Sequence, residues 1–475
     1  MPDIPRYKRD KFIFVSNLQE VTASEAHPIT LKREAYLLSD QYSNTEQVAR
    51  AKWVKARRNL LVSDNGNFSR MSAIAKTFEQ RGETILNKAL DEQEEDGAIS
   101  EQTLSERLAL IAEIEAQCDL DFQSADFNQI IATQTLINPD YIIGLEDYVI
   151  PVLMMCGLTH PIFKPKAASI KARQKKTQEI FKQQRAGAFG KHEELQGTHQ
   201  FLVLHAYDYA SAFQGAKQLQ TPADGIAISY GGPMKSKRWI TEMNFNGKNI
   251  RFNEKLPEPY LVSTAITLGA NDGLEDNLPI HILGVGTPIL VALIGHMLRN
   301  SRAVSIDSTA PFKDAYVGTL YGSRSAFLKM DMYKVAAITL INNTAYTSTT
   351  PFFKSFENDF PSNWSKMRAE LGVSSSSTIK NVMRDFKQNP DLVEANTPFF
   401  SKMRSGDEPM LKRLRMDRSG HNYWILRNIC MSVRERMGNT LALEKWMQYQ
   451  VKRYTKIGSR KWGLAVQAAF DLSQR

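Results

Sequence analysis

Short apolar runs that stop abruptly at polar residues or glycine recur along the chain. Seven of them stand out, at residues 11–17, 59–66, 140–147, 201–206, 225–232, 280–286 and 303–307. Each run is apolar through most of its length, which is typical of parallel strands that are buried on both faces. Stretches with helical character lie between most of these runs. This alternation predicts a (β/α) barrel or a doubly wound sheet, and we expect an eighth strand within residues 20–50.

Two regions interrupt the alternation of strand and helix. Residues 71–135 contain long helical patterns joined by the acidic segment DEQEEDG, which indicates a helical insertion after the second of the seven runs. Residues 331–475 are also mostly helical, and they include the serine-rich helix start VSSSSTIKNVMRDF. We therefore predict a barrel domain over residues 1–330 and a helical C-terminal region over residues 331–475.

The composition of the 475-residue chain fits a globular protein, with 42% hydrophobic and 23% charged residues. No apolar run approaches the roughly 20 residues needed to cross a bilayer, and the N-terminal segment lacks the apolar core of a signal peptide. Cys118, Cys156 and Cys430 lie far apart, so they form neither a disulfide framework nor a C-x-x-C zinc pair. We expect a cytoplasmic, reduced protein that does not associate with membranes.

A net charge of +9 favours polyanionic partners, among which nucleic acid is the commonest large one in cells. Segment 164–185 carries eight Lys or Arg residues against one Glu, although an ordinary solvated helix would also explain this composition. Segment 452–462 interleaves its positive charges with Tyr454 and Trp462, which suits stacking on bases. The nucleic-acid interpretation predicts phosphate contacts from Lys164, Lys166, Lys171, Arg173, Lys175, Lys176, Lys452, Arg453 and Lys456.

Carboxylates stand where three of the apolar runs end. They are Asp64, Glu146 with Asp147, and Asp307. In a β/α barrel the chemistry is carried by loops at the carboxyl ends of the strands, so these groups are expected near one rim. Two carboxylates with separate roles suit a reaction at the anomeric carbon of a sugar. Structural roles also remain open, because an Asp after a strand often caps the next helix and a carboxylate can pair with a nearby Arg or Lys.

Five segments occur in the order known from one enzyme family. They are LLVSDNGNF (60–68), IIGLEDYVIP (142–151), DGIAISYGGPM (224–234), HILGVGTP (281–288) and AVSIDSTAP (303–311). In this order they resemble the tRNA-guanine transglycosylase superfamily, in which GVGTP and two aspartates are the most specific features. The resemblance covers roughly residues 59–312, and it implies a TIM (β/α)8 barrel.

The resemblance also implies roles for individual residues. Asp307 matches the covalent nucleophile of the family, and Asp64 matches its general base. Glu146 or Asp147 falls in the segment that reads the guanine edge. Further contacts to the base are implied for Asn65, Phe68, His205, Ser229, Tyr230, Gly231 and Gly232.

The chain departs from the tRNA-acting members of the family in the region that holds their zinc ion. No cysteine lies between Asp307 and Cys430, although HNYWIL (421–426) is similar to the segment that carries the zinc-ligand histidine. We therefore expect no zinc and no other cofactor. The zinc-free layout looks most like the DNA-acting branch, the DpdA-type 7-deazaguanine DNA transglycosylases.

That resemblance implies a glycosyltransferase that exchanges guanine in DNA for a free 7-deazaguanine base of the preQ0 type, with helper proteins as possible partners. Two other interpretations stay open from the sequence. One is a tRNA-acting relative that lost its zinc site, and the other is a non-catalytic nucleic-acid-binding barrel subunit. Presence of both Asp64 and Asp307 speaks against the last, because a pure binder needs no nucleophile.

Overall fold

The computed structural model describes residues 12–18, 35–39, 44–57, 59–125, 127–163, 167–187, 192–220, 223–235, 238–275, 278–299, 303–322, 327–344, 361–389, 391 and 409–474. The strands in these residues are β1 (Phe12–Asn17), β2 (Ala35–Ser39), β3 (Leu60–Asp64), β4 (Tyr141–Ile143), β5 (His199–Leu204), β6 (Gly225–Ser229), β7 (Trp239–Phe245), β8 (Lys248–Pro257), β9 (Ile280–Leu283), β10 (Val304–Asp307), β11 (Thr319–Tyr321) and β12 (Lys329–Asp331).

The helices are α1 (Thr45–Ala56), α2 (Asn67–Glu95), α3 (Glu101–Ser124), α4 (Phe127–Ile137), α5 (Val149–Met155), α6 (Ala167–Gly187), α7 (Tyr209–Leu219), α8 (Gly231–Lys235), α9 (Glu258–Gly273), α10 (Pro288–Met297), α11 (Ala310–Tyr316), α12 (Met332–Asn342), α13 (Pro361–Glu370), α14 (Ile379–Gln388), α15 (Pro409–Arg434), α16 (Thr440–Ile457) and α17 (Arg460–Ser473).

Eight parallel strands of the described residues close into a barrel in the order β1-β10-β9-β6-β5-β4-β3-β2. β1 completes the ring because it pairs with β10 on one side and with β2 on the other. The closed ring confirms the predicted TIM barrel and excludes the doubly wound sheet, which stays open at its edges. The expected eighth strand is β2, at Ala35–Ser39 and within the region predicted for it.

Side chains in the barrel strands alternate between two environments, as the pleat requires. In β1, Ile13 and Val15 join the cluster inside the barrel, whereas Phe12 and Phe14 join the cluster beneath the surrounding helices. The final inward position of several strands carries a polar side chain instead of an apolar one. This polar layer closes the carboxyl end of the barrel and forms part of the pocket described next.

The predicted helical insertion is built from α2, α3 and α4, which lie between β3 and β4. Buried residues of α2 follow the helical repeat at Met71, Ile74, Ala75 and Phe78, so one face packs against α3 and α5. α3 begins at Ser100, whose hydroxyl accepts a hydrogen bond from the Thr103 N–H at 3.2 Å. The insertion therefore has its own apolar cluster and anchors to the barrel through α5.

The C-terminal region is helical, as predicted, and α15 is the helix that contacts the barrel most directly. It packs against α10, α11 and β1. The Asn422 amide accepts a hydrogen bond from the Tyr321 N–H at 2.8 Å and donates to the carbonyls of Pro311 and Thr319, each at 3.0 Å. α15 thereby fixes both ends of the segment that follows β10.

The hairpin β7–β8 lies between β6 and α9 and was not expected from the apolar runs. β7 mixes exposed and buried positions, and β8 is at least partly exposed until its last two residues, unlike the largely buried barrel strands. Asn246 and Gly247 form the turn, with φ values of 49° and 75°. Two positive φ values in sequence are what a two-residue hairpin turn of type I′ requires.

Candidate active site

A pocket of about 400 Å³ opens at the carboxyl ends of the barrel strands. Four carboxylates line it: Asp64, Glu146 and Asp307, which come from different strands or loops, and Asp314 on α11. The structure thus brings together the three predicted groups that end β3, follow β4 and end β10. Polar residues at the ends of β1 and β2, Asn17 and Ser39, complete the layer and were not predicted from the sequence.

Asp307 is the last residue of β10, and its side chain is 14% exposed. Its Oδ1 accepts a hydrogen bond from the Gly284 N–H at 3.3 Å and lies 3.2 Å from His281 Nε2. The Gly284 N–H also donates to the Asp307 backbone carbonyl at 3.1 Å, and Gly284 adopts a φ of 83°, a conformation that glycine takes without strain. The GVGTP segment therefore supports the Asp307 carboxylate through its first glycine.

His281 is a buried residue of β9 that the sequence analysis did not identify. Its Nδ1 lies 2.7 Å from the Ser305 hydroxyl, one strand away, while Nε2 faces Asp307. Both His281 and Ser305 point into the barrel, directly beneath the pocket. The sequence contained a signal for both residues, because each is a polar residue at an inward position of an otherwise apolar strand.

Asp64 ends β3, and its environment disfavours ionisation. Burial raises its pKa to about 7, with further contributions from the negative charges of Asp307 and Glu146. The Ser39 hydroxyl and the Gly66 N–H act in the opposite direction but are outweighed. A carboxyl group with a pKa near neutrality exchanges a proton readily at physiological pH, as a general acid or base must.

Glu146 is held in the pocket by two asparagines of the segment after β3. Its Oε2 accepts hydrogen bonds from Asn65 Nδ2 at 2.6 Å and from Asn67 Nδ2 at 3.0 Å. Asn65 also donates to the Gly144 carbonyl at 2.6 Å, which ties the two loops together. The other carboxylate oxygen, Oε1, lies 3.8 Å from His205 Nε2. The hydrogen bonds to Oε2 therefore orient Glu146, and Oε1 is the better placed oxygen to contact a ligand.

Asp147 lies outside the residues that line the pocket. Its Oδ2 contacts Arg173 at 3.1 Å and Lys176 at 3.4 Å, and its Oδ1 accepts a hydrogen bond from the Val149 N–H at the start of α5. These contacts match the structural alternative for this residue, an ion pair combined with helix capping. Of the two predicted guanine readers, the geometry favours Glu146.

The segment after β6 contributes to the pocket unevenly. Ser229 and Gly231 line it, whereas the Tyr230 hydroxyl points away and donates to the Ser263 carbonyl at 3.0 Å. Gly232 packs near Pro151 and Met154 instead. Gly231 approaches Phe68 closely, because a Cβ there would lie 2.6 Å from the Phe68 ring and the ring would have to shift. Phe68 itself is a pocket residue, 41% exposed, as expected of a group that packs on a flat ligand.

The basic segment after β4 is largely engaged within the protein. Arg173 contacts Glu115 and Asp119 as well as Asp147, and Lys176 pairs with Asp119. These contacts give both residues a structural role and do not support phosphate binding by them. Lys175 is exposed, with its Nζ 3.8 Å from Glu179. Lys164, Lys166 and the side chain of Lys171 lie outside the described residues.

The second basic segment spans the end of α16 and the start of α17, and α16 packs against α10 and α17. Lys452, Arg453 and Lys456 are not among the residues that line the pocket. The Arg453 guanidinium stacks over the ring of Tyr449, 5.5 Å from its centroid. DNA binding by these three residues stays a prediction.

The segment similar to a zinc-ligand segment, residues 421–426, lies on α15. His421 is buried, and its Nε2 donates to the Tyr321 carbonyl at 2.8 Å. Burial lowers the pKa of His421 to about 4, so the ring is neutral at physiological pH. Within the described residues no three His, Cys, Asp or Glu side chains converge as metal ligands. His421 therefore serves as a hydrogen-bond donor that holds α15 against β11.

Comparison with protein-family models found no match, and a search of curated proteins likewise found none. Among the helices of the described residues, none is both long and apolar enough to cross a membrane. The chemistry of the pocket is therefore the main basis for assigning a function.

Proposed function

We propose that this protein is a DNA-guanine transglycosylase that replaces guanine in DNA with a free 7-deazaguanine base. One observation is the main support for this proposal. Asp64, whose pKa is raised to about 7, shares a barrel-mouth pocket with Asp307, which is supported on its strand end by a backbone N–H. A nucleophilic carboxylate beside a proton-exchanging one is the pair that substitution at a glycosidic carbon requires.

In the first half of the proposed reaction, an oxygen of Asp307 forms a bond to C1′ of the deoxyguanosine. The bond from C1′ to N9 breaks, and its electron pair leaves with guanine. Protonated Asp64 supplies the proton that the departing base takes up. The guanine must first leave the base stack to enter the pocket, at a cost of about a few kcal/mol.

The second half reverses these steps with a different base. N9 of the incoming 7-deazaguanine attacks C1′, the bond to Asp307 breaks, and ionised Asp64 accepts the N9 proton. Each half inverts the configuration at C1′, so the product retains the original configuration. A pKa near 7 suits Asp64 because the same group must hold a proton in one half and release it in the other.

Selection of guanine is assigned to Glu146. Guanine presents two adjacent donors, N1–H and the exocyclic N2–H, and Oε1 of Glu146, whose partner oxygen Oε2 is held by the two asparagines, is the proposed acceptor for them. Adenine presents no such pair of donors on that edge. Asn65 and Asn67 fix the orientation of Glu146 before the base arrives, which lowers the entropy lost on binding.

Incorporation of labelled guanine or labelled preQ0 into duplex DNA tests the proposal, with tRNA as the parallel substrate. We expect label in DNA, together with a protein–DNA adduct that survives denaturation. Asp307→Ala should lose both, whereas Asp96→Asn, at an exposed position after α2, should keep both. Label in tRNA alone would overturn the DNA assignment. Undiminished exchange by Asp307→Ala would overturn the mechanism, and binding of nucleic acid without exchange would show a non-catalytic subunit.

A further inference from the structure

Two lysines stand at the rim of the acidic pocket, and the proposed reaction gives them no role. Lys235 ends α8, the short helix after β6, and Lys313 lies on α11, the helix after β10. Both side chains are exposed, and both line the pocket. The same cavity therefore combines a carboxylate-lined interior with positive charge at its opening.

The contacts of Lys235 leave its charge uncompensated. Its Nζ donates to the Ser72 hydroxyl at 2.7 Å and lies 4.9 Å from the centroid of the Phe68 ring. Glu79 favours the charged form electrostatically, but within the described residues no carboxylate lies within 4.0 Å of this ammonium group. Phe68 and Ser72 hold Lys235 over the pocket without neutralising it.

Lys313 is similarly placed. In the described part of the chain it forms no ion pair, although Asp314 is the next residue. Asp314 is already engaged, because it accepts from Lys329 at 2.7 Å and from the Tyr321 hydroxyl at 2.6 Å. Burial lowers the pKa of Lys235, and the positive charge of Lys313 lowers it further, so the two lysines repel each other. An anion between them would relieve this repulsion.

We propose that Lys235 and Lys313 bind the phosphodiester groups on either side of the nucleotide whose base occupies the pocket. This inference rests on the proposed function and adds the contact to the polymer. When a nucleotide is turned out of the stack, its base enters the pocket and its C1′ approaches Asp307, while the flanking phosphates stay outside. The carboxylates inside repel phosphate, so phosphate is attracted only at the rim.

The engagement of the α6 cations supports this assignment. Arg173 and Lys176, which the sequence marked as phosphate ligands, are held by acidic side chains of the protein. The rim lysines have no such partner in the described residues. Among the described residues that line the pocket, they are the two that carry positive charge. Phosphate contacts at this point would fix the register of the strand without reading its sequence.

The test measures the affinity of a guanine-containing oligonucleotide as a function of salt for the wild type, Lys235→Gln, Lys313→Gln and the double variant. Each lost phosphate contact should reduce the slope of log K against log [salt] by about 0.7 to 0.9. The matched control is Lys217→Gln on α7, because Lys217 is exposed, lies 4.8 Å from the centroid of the Phe213 ring and does not line the pocket. This control should retain the wild-type slope.

Binding of free preQ0 by calorimetry separates the polymer contact from the base site. We expect both rim variants to bind preQ0 as the wild type does, because the base occupies the interior. An unchanged salt slope in the double variant would overturn the phosphate assignment, and so would an equal change of the salt slope in Lys217→Gln. In either case, exchange by the wild type would still support the proposed function. Loss of preQ0 binding in the rim variants would also overturn it. A wild type that neither binds preQ0 nor exchanges guanine would refute the proposed function itself.

Discussion

Replacement of Asp64 by Asn should stabilise the protein, and the gain should grow as the pH rises. The Asp64 carboxyl has a pKa of about 7 in the folded protein, against an ordinary value of 3.8 for an aspartate side chain. Between these values the folded protein holds a proton that the unfolded chain has released. Stability therefore falls as the pH rises from about 4 to about 7, and the loss is complete above that range. The Asn variant has no titratable proton at this position, so it does not undergo this loss of stability.

The size of the stability difference follows from the shift in the pKa of Asp64. A difference of about 3 pKa units, at roughly 1.4 kcal/mol for each, corresponds to at most about 4 kcal/mol above pH 7. Two of the causes are the charges of Asp307 and Glu146, and the largest is burial. Asp307→Asn should therefore lower the pKa of Asp64. The pH range over which stability falls should then move downward, but the fall in stability should not disappear.

Urea denaturation at pH 4, 5, 6, 7 and 8 provides the measurement. The free energy of unfolding of Asp64→Asn, minus that of the wild type, should be smallest at pH 4 and level off near pH 8. The control Asp96→Asn, at an exposed position, should show no such trend. A difference that stayed constant from pH 4 to pH 8 would refute the charge environment described for Asp64. A difference that decreased with pH would show that the carboxylate is stabilised in the fold.

Three further substitutions, one of them with a matched control, test the surroundings of the site. Glu146→Gln should weaken guanine binding by about 10- to 100-fold and reduce its preference over hypoxanthine in a competition assay, whereas Asp147→Asn should leave that preference intact because Asp147 pairs with Arg173. His281→Phe should lower the kcat of exchange by about tenfold with little change in KM for the free base, since the ring orients Asp307 without contacting the base. Asn422→Ala should cost about 3 kcal/mol in urea denaturation, because buried backbone groups lose their partners.

The barrel could be predicted because its strands are buried on both faces. Continuous apolar runs ending in polar residues marked seven of the eight strands, and β2 was expected only as a region. The hairpin β7–β8 was overlooked because one face of it meets solvent, which breaks the apolar run. Its Asn246-Gly247 turn was nevertheless visible in the sequence, since Asn-Gly is the strongest short signal for a two-residue hairpin.

The site was predictable where a polar residue ends an apolar run, as at Asp64 and Asp307. It was less predictable at β4, where the run continues past the strand into the loop that carries Glu146 and Asp147. Sequence order alone could not decide between these neighbours, because the choice depends on α6, which lies close to Asp147 and supplies Arg173. Long-range ion pairs of this kind leave no periodic signal in a sequence.

Asp64, Glu146 and Asp307 differ in the donors that surround them, and this difference supports the separate roles proposed for them. Glu146 accepts from two asparagine amides, and Asp307 accepts from the Gly284 N–H and faces His281. Asp64 is left between their two negative charges. A cluster of this kind destabilises the fold, so it is not explained by structural need. In the proposed mechanism Asp64 is therefore the carboxyl that holds a proton, and Asp307 is the nucleophile.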